Sequence, residues 1–473
     1  MRVPMSNSEK CLVIIWGGTG NLTYKKLIPA LYSLYLDKAL SPNLYFLAIG
    51  RKDYRTTDYH QIITDLVHDE MLCDESCLQK FLKQFEYFQM AFDDMEGYIR
   101  LKKKIDKLAE LYQTEENQIF YFAVSPDYFE SISNHMAHYG ILNNKGFNRV
   151  VFEKPFGKDL KTAEVFNAKL KQIFTEDEIY RIDHYLGKTM IQNILTLRFG
   201  NRLFEEVWCN SGIESIHINI YEKEGVLTRG KYYDEFGALR DMVQNHLLQI
   251  VALLAMDAPK AFTPEGILAE KLKILRSIKP FTREDLNQHI ILGQYEGYTS
   301  EPDVNPKSQT ETFVQLRLEL LTKKWVDVPF VLTTGKALDD KFANIEIVFK
   351  ENSSGFSFPD TSLSQNKLLI KIQPEEGVEL SFNSKIPGLE NQVHTVKMDY
   401  CQSCQFVHRS PDAYEKLLLD VLSGDKTLFT HWDEIEASWY FIDSIQSECN
   451  AFCKPLVIYP KSTKGPRLDD ETL

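Results

Sequence analysis

The chain has 473 residues, 44% of them hydrophobic, which is enough for two or three domains with buried cores. Its formal net charge of −13 argues against a general binder of nucleic acids or membrane surfaces, because both require a positive field. No apolar run reaches the length of a membrane span and the N-terminus lacks a signal-peptide pattern, so we expect a cytoplasmic protein.

Residues 11 to about 175 alternate continuous apolar runs with helical patterns. This alternation is typical of a parallel sheet covered on both faces. The candidate strands read CLVIIWG, LYFLAIG, QIFYFAVS and RVVFEKPFG. In the first helix, KKLIPALYSLYLDKAL, Pro29 is expected to bend or restart the first turn, because proline has no backbone N–H to donate.

A glycine-rich turn, GGTGNL, joins the first strand to the first helix. Gly17 and Gly20 can take backbone angles that other residues resist, and they let a pyrophosphate approach the helix N-terminus. The spacing is GxxGxL and not GxGxxG, so a plain structural turn is the alternative. The turn is the first strand-to-helix connection of the N-terminal α/β region, and this position favours dinucleotide binding over a plain structural turn.

The second strand ends in Arg51 and Lys52, where dinucleotide folds meet the adenosine ribose. Basic residues there favour the 2′-phosphate of NADP over the 2′-hydroxyl of NAD, and Thr19 can donate a further hydrogen bond. The alternative is an exposed basic pair at a strand end. Lys154 follows the fourth strand and precedes a proline, which directs it toward the carboxyl ends of the strands.

Residues 180–188, YRIDHYLGK, concentrate charge in a short stretch. If they form a helical turn, His184 and Lys188 share one face and Asp183 points to the neighbouring side. Such a cluster could bind an anion. It could also be an ordinary solvated helix face.

From about residue 212 apolar and polar residues alternate, which predicts an antiparallel sheet with one packed face. A long apolar helix, FGALRDMVQNHLLQIVALLAM, interrupts this half and is predicted to be buried. It contains His246, which could be a core histidine or the base of a hydride-transfer enzyme, oriented by Asp183. The C-terminal segment YPKSTKGPRLDDETL is expected to be loose.

Eight cysteines are too few for a disulfide framework in a chain of this length, and their scatter predicts reduced thiols. Cys401 and Cys404 form a CxxC pair, but no second pair follows at zinc-site spacing. We therefore expect thiols and no metal site at this motif.

These patterns predict two domains, with the charged stretch at the seam where ligand sites are favoured. Residues 1–180 are expected to form a Rossmann-like dinucleotide-binding domain. Residues 181–473 are expected to form a larger domain built on a mainly antiparallel sheet with helices.

Five motifs resemble the glucose-6-phosphate dehydrogenases in the same order: GGTGNL, EKPFGKD, RIDHYLGK, YYDEFGALRDMVQNHLLQ and DVPFVLTTGKAL. The resemblance implies a cytoplasmic oxidoreductase that oxidises D-glucose 6-phosphate to 6-phospho-D-glucono-1,5-lactone with NADP, the first step of the oxidative pentose phosphate pathway. One alternative is a related hexose-6-phosphate dehydrogenase with another sugar or with NAD preference. Another is a non-catalytic sugar-phosphate or NADPH sensor.

The resemblance also implies roles for individual residues. His246 would be the general base and Asp183 the acid that orients it, while His184 and Lys188 would hold the substrate phosphate. The rest of the sugar-phosphate site would comprise Lys154, Tyr185, Glu222, Asp241, Lys336, Lys341 and Gln373. The coenzyme site would comprise Gly17, Gly18, Thr19, Gly20, Asn21, Leu22, Arg51, Lys52 and Lys154.

Several positions depart from the family pattern. Asn21 stands where aspartate is usual, and Ser125 replaces a common proline. Lys341 stands where arginine is frequent, so a guanidinium group that can donate two parallel hydrogen bonds is replaced by a single ammonium group. Phe342 and Glu346 fall where the second, structural NADP site of some animal members would need basic residues, so we predict that this site is absent.

The resemblance implies an assembly as well. Family members associate through the large sheet domain, which makes a homodimer the expectation and leaves a homotetramer possible.

Overall fold

A computed structural model of the chain describes residues 10–70, 74–114, 116–142, 145–351, 363–388, 392–402, 410–452 and 454–468. They divide into two compact units. The first consists of the chain up to Gly157 with Lys161–Gly187 and Pro411–Trp432, and the second of Lys158–Leu160, Lys188–Ser410 and the chain from Asp433. The sequence predicts a single domain boundary near residue 180. In the structure, the segment Pro411–Trp432 also belongs to the first unit, and its Leu417 and Val421 lie in that unit's hydrophobic core.

Six parallel strands form the sheet of the first unit: β1 (Cys11–Trp16), β2 (Leu44–Gly50), β3 (Phe85–Gln89), β4 (Gln118–Phe122), β5 (Asn148–Phe152) and β6 (Ile179–Arg181). Their order across the sheet is β3-β2-β1-β4-β5-β6, the order of a Rossmann fold. The predicted Rossmann-like class is therefore confirmed. The predicted strands include β1, β2, β4 and β5, but they omit β3 and the three-residue β6.

Helices cover both faces of this sheet: α1 (Ile28–Leu36), α2 (Thr56–Glu70), α3 (Glu75–Leu82), α4 (Met95–Tyr112), α5 (Phe129–His138) and α6 (Leu160–Leu170). Side chains of β1 alternate between two buried clusters, with Val13 and Ile15 in one and Leu12 and Ile14 in the other. Burial on both faces explains the continuous apolar runs of these strands.

The helix after β1 does not restart at its proline. It begins at Asn21, and Leu27 and Ile28 keep helical backbone angles up to Pro29. Thr23–Leu27 is π-helical, and α1 follows it directly. Proline has no N–H to donate within a helix, and a π-helical turn is a common local change inside an α-helix.

Nine strands form the sheet of the second unit: β7 (Ile213–Tyr221), β8 (Ile290–Tyr295), β9 (Phe313–Leu318), β10 (Phe330–Gly335), β11 (Phe342–Phe349), β12 (Lys367–Gln373), β13 (Gly377–Lys385), β14 (Val393–Cys401) and β15 (Val457–Tyr459). Their order is β14-β13-β12-β11-β7-β10-β9-β8-β15. Only the β7–β10 and β8–β15 pairs are parallel among the strands described. The predicted, mainly antiparallel sheet is confirmed.

Helices of the second unit include α7 (Thr189–Phe199), α8 (Arg202–Glu205), α9 (Gly230–Ala238), α10 (Leu248–Ala255), α11 (Pro264–Arg276) and α12 (Asp285–Gln288). The long helix predicted from Phe236 is broken at Gly237, whose φ of +67° and ψ of 178° are not helical. A π-helical stretch, Leu239–Leu247, then runs directly into α10. We refer to this whole element as helix 239–255. It is buried as predicted, since residues 246–256 all lie in the interior.

The C-terminal segment is more ordered than the sequence suggests. The Asp339 N–H donates to the carbonyl of Thr463 over 2.9 Å, and the Leu468 N–H donates to Gln315 Oε1 over 2.7 Å. The expectation of a loose tail is therefore wrong as far as residue 468. Polar and turn residues indicated mobility, but backbone groups of this segment bond to β9 and to the loop between β10 and β11.

No helix in the described ranges is both long and apolar enough to cross a membrane. Cys11, Cys77, Cys209 and Cys449 are free thiols. Cys401 is disulfide-bonded, which corrects the expectation of reduced thiols at this position, and Cys404 lies outside the described residues. Disulfide pairing depends on how close two thiols come in space, and the scatter of cysteines along a sequence does not show this.

Candidate active site

The glycine-rich turn leaves β1 at the centre of the first unit's sheet. Gly17 has φ +86°, and a Cβ atom there would lie 2.2 Å from the carbonyl oxygen of Ala123, just beyond β4. The N–H groups of Gly17 and Gly18 donate to the carbonyl of Ile49 near the end of β2. Helical structure begins at Asn21. The turn thus joins a helix N-terminus to the point where strand order reverses, which suits an anionic dinucleotide.

The predicted ribose-binding residues lie beside this turn. Arg51 and Lys52 follow β2 directly and are exposed. A Cβ atom on Gly50 would lie 2.9 Å from Thr19 Oγ1, so the threonine side chain lies against the end of β2. The first unit therefore brings Thr19 close to the chain position from which the two cations extend.

Lys154 occupies the same edge of the sheet, two residues after the end of β5. The preceding residue, Glu153, accepts a hydrogen bond from Tyr121 Oη over 2.6 Å. Burial raises the pKa of the Glu153 carboxyl, although hydrogen bonds from Tyr121 and Tyr414 oppose the shift. The segment that carries Lys154 is thus fixed by a buried polar contact at the carboxyl end of the strands.

The charged stretch after β6 is not a helix. Asp183 is 2% exposed, and its Oδ1 accepts the N–H of Tyr185 over 3.0 Å. Residues 184–187 form a turn, so the predicted helical face shared by His184 and Lys188 is wrong. An aspartate that accepts the N–H two residues onward stabilises a turn in competition with a helix.

Helix 239–255 places two predicted residues in the interior of the second unit. His246 is completely buried and Asp241 is 5% exposed. Asp241 Oδ1 accepts a hydrogen bond from Tyr232 Oη over 3.2 Å. Burial and the charge of Asp241 raise the pKa of Tyr232, so its phenol stays protonated and can donate. Both π-helical geometry and buried polar side chains are frequent at functional sites.

Lys336 joins this group of residues from the end of β10. Its Nζ lies 2.6 Å from Glu222 Oε2 and 4.9 Å from the ring centroid of Tyr233. The lysine is 7% exposed. A carboxylate and an aromatic face therefore hold a nearly buried ammonium group in a fixed place.

Two further predicted cations differ in their surroundings. Lys188 Nζ donates to Gln373 Oε1 over 2.9 Å. Because the glutamine amide is neutral, this hydrogen bond orients the ammonium group without cancelling its charge. Lys341 is exposed, with Nζ 3.7 Å from Glu224 Oε1, so its side chain lies at the surface of the second unit.

The two units divide the predicted residues between them. The first contains the coenzyme residues and Lys154, Asp183, His184 and Tyr185. The second contains Lys188, Glu222, Asp241, His246, Lys336, Lys341 and Gln373. The predicted pair of Asp183 and His246 takes one member from each unit and stays a prediction.

Two family models match the chain. The family model described as "Glucose-6-phosphate dehydrogenase, NAD binding domain" matches residues 14–193. The model described as "Glucose-6-phosphate dehydrogenase, C-terminal domain" matches residues 195–473. The chain belongs to the glucose-6-phosphate dehydrogenase family. The resemblance drawn from the five motifs is confirmed.

Curated members of the glucose-6-phosphate dehydrogenase family align with almost the full chain. The glucose-6-phosphate 1-dehydrogenase of Bacillus subtilis is 37% identical, covering 99% of this chain and 97% of the relative. That of Streptococcus pneumoniae is 40% identical, covering 98% and 95%.

Solved structures agree with these relatives. A structure titled "Glucose-6-phosphate dehydrogenase in complex with its substrate glucose-6-phosphate" aligns with a TM-score of 0.91 and 33% identity, covering 98% of this chain and 97% of that one. The glucose-6-phosphate 1-dehydrogenase of Mycobacterium avium aligns with a TM-score of 0.85 and 30% identity, covering 97% and 95%.

In this member of the glucose-6-phosphate dehydrogenase family, Tyr232 and Tyr233 contact Asp241 and Lys336, although the sequence patterns did not single out either tyrosine. Both lie inside the YYDEFGALRD motif, so the motif itself was the available signal. Helical spacing could not relate Tyr232 to Asp241, because the break at Gly237 separates the two residues. Their proximity depends on the angle between α9 and helix 239–255.

Proposed function

We propose that the chain oxidises D-glucose 6-phosphate at carbon one with NADP, giving 6-phospho-D-glucono-1,5-lactone and NADPH. The observation that carries the proposal is the full-length likeness to a structure solved with glucose 6-phosphate as its substrate. The buried Asp241 and the partly exposed Glu222, which pairs with the buried Lys336, support it, because carboxylates accept hydrogen bonds from sugar hydroxyls.

His246 is the base in this proposal. Oxidation of an alcohol requires a group that removes the hydroxyl proton as the hydride leaves, and imidazole performs this near neutral pH. Complete burial of His246 gives its ring a fixed environment. Asp183 orients the imidazole and stabilises its protonated form, and this role is supported by its own burial.

The phosphate and the sugar are held by different residues. His184, Tyr185 and Lys188 bind the phosphate, with Gln373 orienting the Lys188 ammonium group. Glu222, Asp241 and Lys336 bind the sugar, Lys341 contributes charge at the rim, and Lys154 contacts both substrate and coenzyme. Lysines near a phosphate dianion supply point charge, so an acidic chain can still bind an anionic substrate.

The coenzyme site fits NADP. At Gly17 a side chain would collide with the backbone, so the turn is shaped by the absence of a Cβ atom beside a helix N-terminus. The turn residues Gly17 to Leu22 hold the pyrophosphate, and Thr19, Arg51 and Lys52 hold the 2′-phosphate. NADP, when bound, supplies the hydride acceptor.

A parallel absorbance assay tests the proposal. Purified protein with glucose 6-phosphate and NADP is expected to generate reduced nicotinamide at 340 nm, with kcat/KM for NADP above that for NAD. The controls are other hexose 6-phosphates and glucose without phosphate. Preference for another sugar or for NAD would refute the stated specificity, and no reduction at saturating substrates would indicate a sensor.

We further propose a cytoplasmic homodimer that associates through the large sheet, an assembly implied by the family resemblance. A homotetramer is the alternative. Light scattering after size exclusion is expected to give a mass of twice the 54.9 kDa chain. A mass of one chain at micromolar concentration would contradict this proposal.

A further inference from the structure

The start of helix 239–255 has an unusual construction. Gly237, with φ +67°, separates α9 from the helix, and regular structure resumes immediately afterward. Asp241 and His246 both lie within the π-helical stretch that follows. Any shift of this helix along its axis would therefore move both side chains together.

One residue from a different segment holds this start in place. Glu311 Oε1 accepts the N–H of Leu239 over 2.9 Å, and its backbone carbonyl accepts the N–H of Ala238 over 3.0 Å. A Cβ atom on Gly237 would lie only 2.5 Å from Glu311 Oε1. Glu311 thus satisfies N–H groups that a helix cannot satisfy internally, and the glycine makes room for it.

The next residue, Thr312, holds Lys336. The Lys336 N–H donates to the carbonyl of Thr312 over 2.9 Å. Tyr459 Oη donates to the carbonyl of Lys336 over 2.7 Å and lies 3.0 Å from Thr312 Oγ1. Consecutive residues therefore fix the helix start and the backbone of Lys336.

Thr310 completes this connection on the other side of the break. Its Oγ1 donates to the carbonyl of Asp234 in α9 over 2.7 Å. We call residues 310–312 the bracket. It contacts α9, helix 239–255 and the strand end that carries Lys336, all within the second unit.

We propose that Glu311 is a positioning residue that sets helix 239–255 relative to Lys336, and thereby places Asp241 and His246 for catalysis. This inference rests on the proposed function. Glu311 acts through the backbone N–H groups of Ala238 and Leu239 at the helix start. Misplacement of a catalytic group by about 1 Å is enough to cost roughly 10²-fold in rate.

The chemistry of the Glu311 contact predicts that a conservative substitution retains its function. Burial raises the pKa of its carboxyl, with the N–H of Leu239 and the charge of Arg240 opposing the shift. The contact with Leu239 needs an acceptor oxygen of the right reach and does not need a charge. Glutamine retains that oxygen, whereas alanine removes it and aspartate is one methylene shorter.

The test compares Glu311→Ala, Glu311→Asp and Glu311→Gln with the wild-type full chain. Glu311→Ala is expected to lower kcat on the order of 10²-fold. Because Asp241 also binds the sugar, the dissociation constant for glucose 6-phosphate, titrated without coenzyme, should rise as well, but by less than about tenfold. Glu311→Gln should retain kcat within about threefold, and Glu311→Asp should fall between them. If Glu311→Ala fails to fold, the kcat of Glu311→Asp is compared with the kcat of Glu311→Gln.

A matched control is Glu434→Gln. Glu434 is 1% exposed and its Oε1 lies 2.7 Å from Lys271 Nζ, so it is a buried carboxyl of the same unit outside the bracket. Wild-type kcat in Glu311→Ala and Glu311→Asp, or an equal kcat loss in the control, would overturn the inference. Absence of glucose 6-phosphate oxidation by the wild-type protein would instead overturn the proposed function on which it rests.

Discussion

Replacing His246 with asparagine is expected to lower kcat by roughly 10²- to 10⁴-fold with little change in the affinity for glucose 6-phosphate. Asparagine retains a polar side chain of similar reach but cannot accept the hydroxyl proton near neutral pH. Stopped-flow and steady-state measurements of NADPH formation give the rate, and calorimetric titration gives the affinity for the sugar phosphate.

A second histidine of the same unit provides the control. His289 Nδ1 lies 2.9 Å from Asp285 Oδ1, so it pairs with a carboxylate, but it has no role in the proposed site. His289→Asn is expected to retain kcat within about threefold, because loss of such a pair affects stability more than chemistry. Near-normal turnover in His246→Asn would exclude His246 as the base.

The fold was predictable where burial dictates composition. β1 is apolar at every position because both faces of its sheet are covered. The result is a continuous run of apolar residues that is recognisable in the sequence. β3 was missed because FEYFQ contains charged and amide residues on a partly exposed strand. β6 is only three residues long, which is too short for any periodicity to show.

The sequence predicts those parts of the site whose residues lie together in one short motif. GGTGNL shows both the conformation at Gly17 and the helix that follows, because strand, turn and helix are contiguous in sequence. The turn at residues 184–187 was misread as helical, since spacing alone ignores the Asp183 side chain that competes for the Tyr185 N–H.

Contacts between distant segments could not be derived in this way. Glu311 reaches the start of helix 239–255 across 72 positions of sequence, and Lys336 meets Glu222 across 114. No periodicity links such pairs. Lys336 meets Glu222 because β10 and β7 are parallel neighbours in the nine-stranded sheet. Glu311 reaches the helix start where Gly237 makes room for it. The motif resemblance supplied Glu222 and Lys336, but it did not include the segment that contains Glu311.

Lys188→Ala is expected to raise KM for glucose 6-phosphate by roughly 10- to 100-fold, with a smaller fall in kcat. The proposed function places the Lys188 ammonium group beside the substrate phosphate, and Gln373 Oε1 orients it. Removing a cation next to a phosphate dianion removes charge-assisted hydrogen bonds from the ground-state complex, so the loss falls mainly on binding.

Three comparisons make this prediction specific. Lys188→Arg keeps the cation and should recover part of the affinity, because a guanidinium retains charge but not the single-point geometry. Gln373→Ala should raise KM less than Lys188→Ala, since it removes only the orienting bond. Lys273→Ala, which removes an exposed lysine paired with Glu270 on α11, should leave KM unchanged. Equal KM values for Lys188→Ala and the wild-type protein would remove Lys188 from the phosphate site, because a cation that binds a dianion cannot be deleted without weakening the ground-state complex.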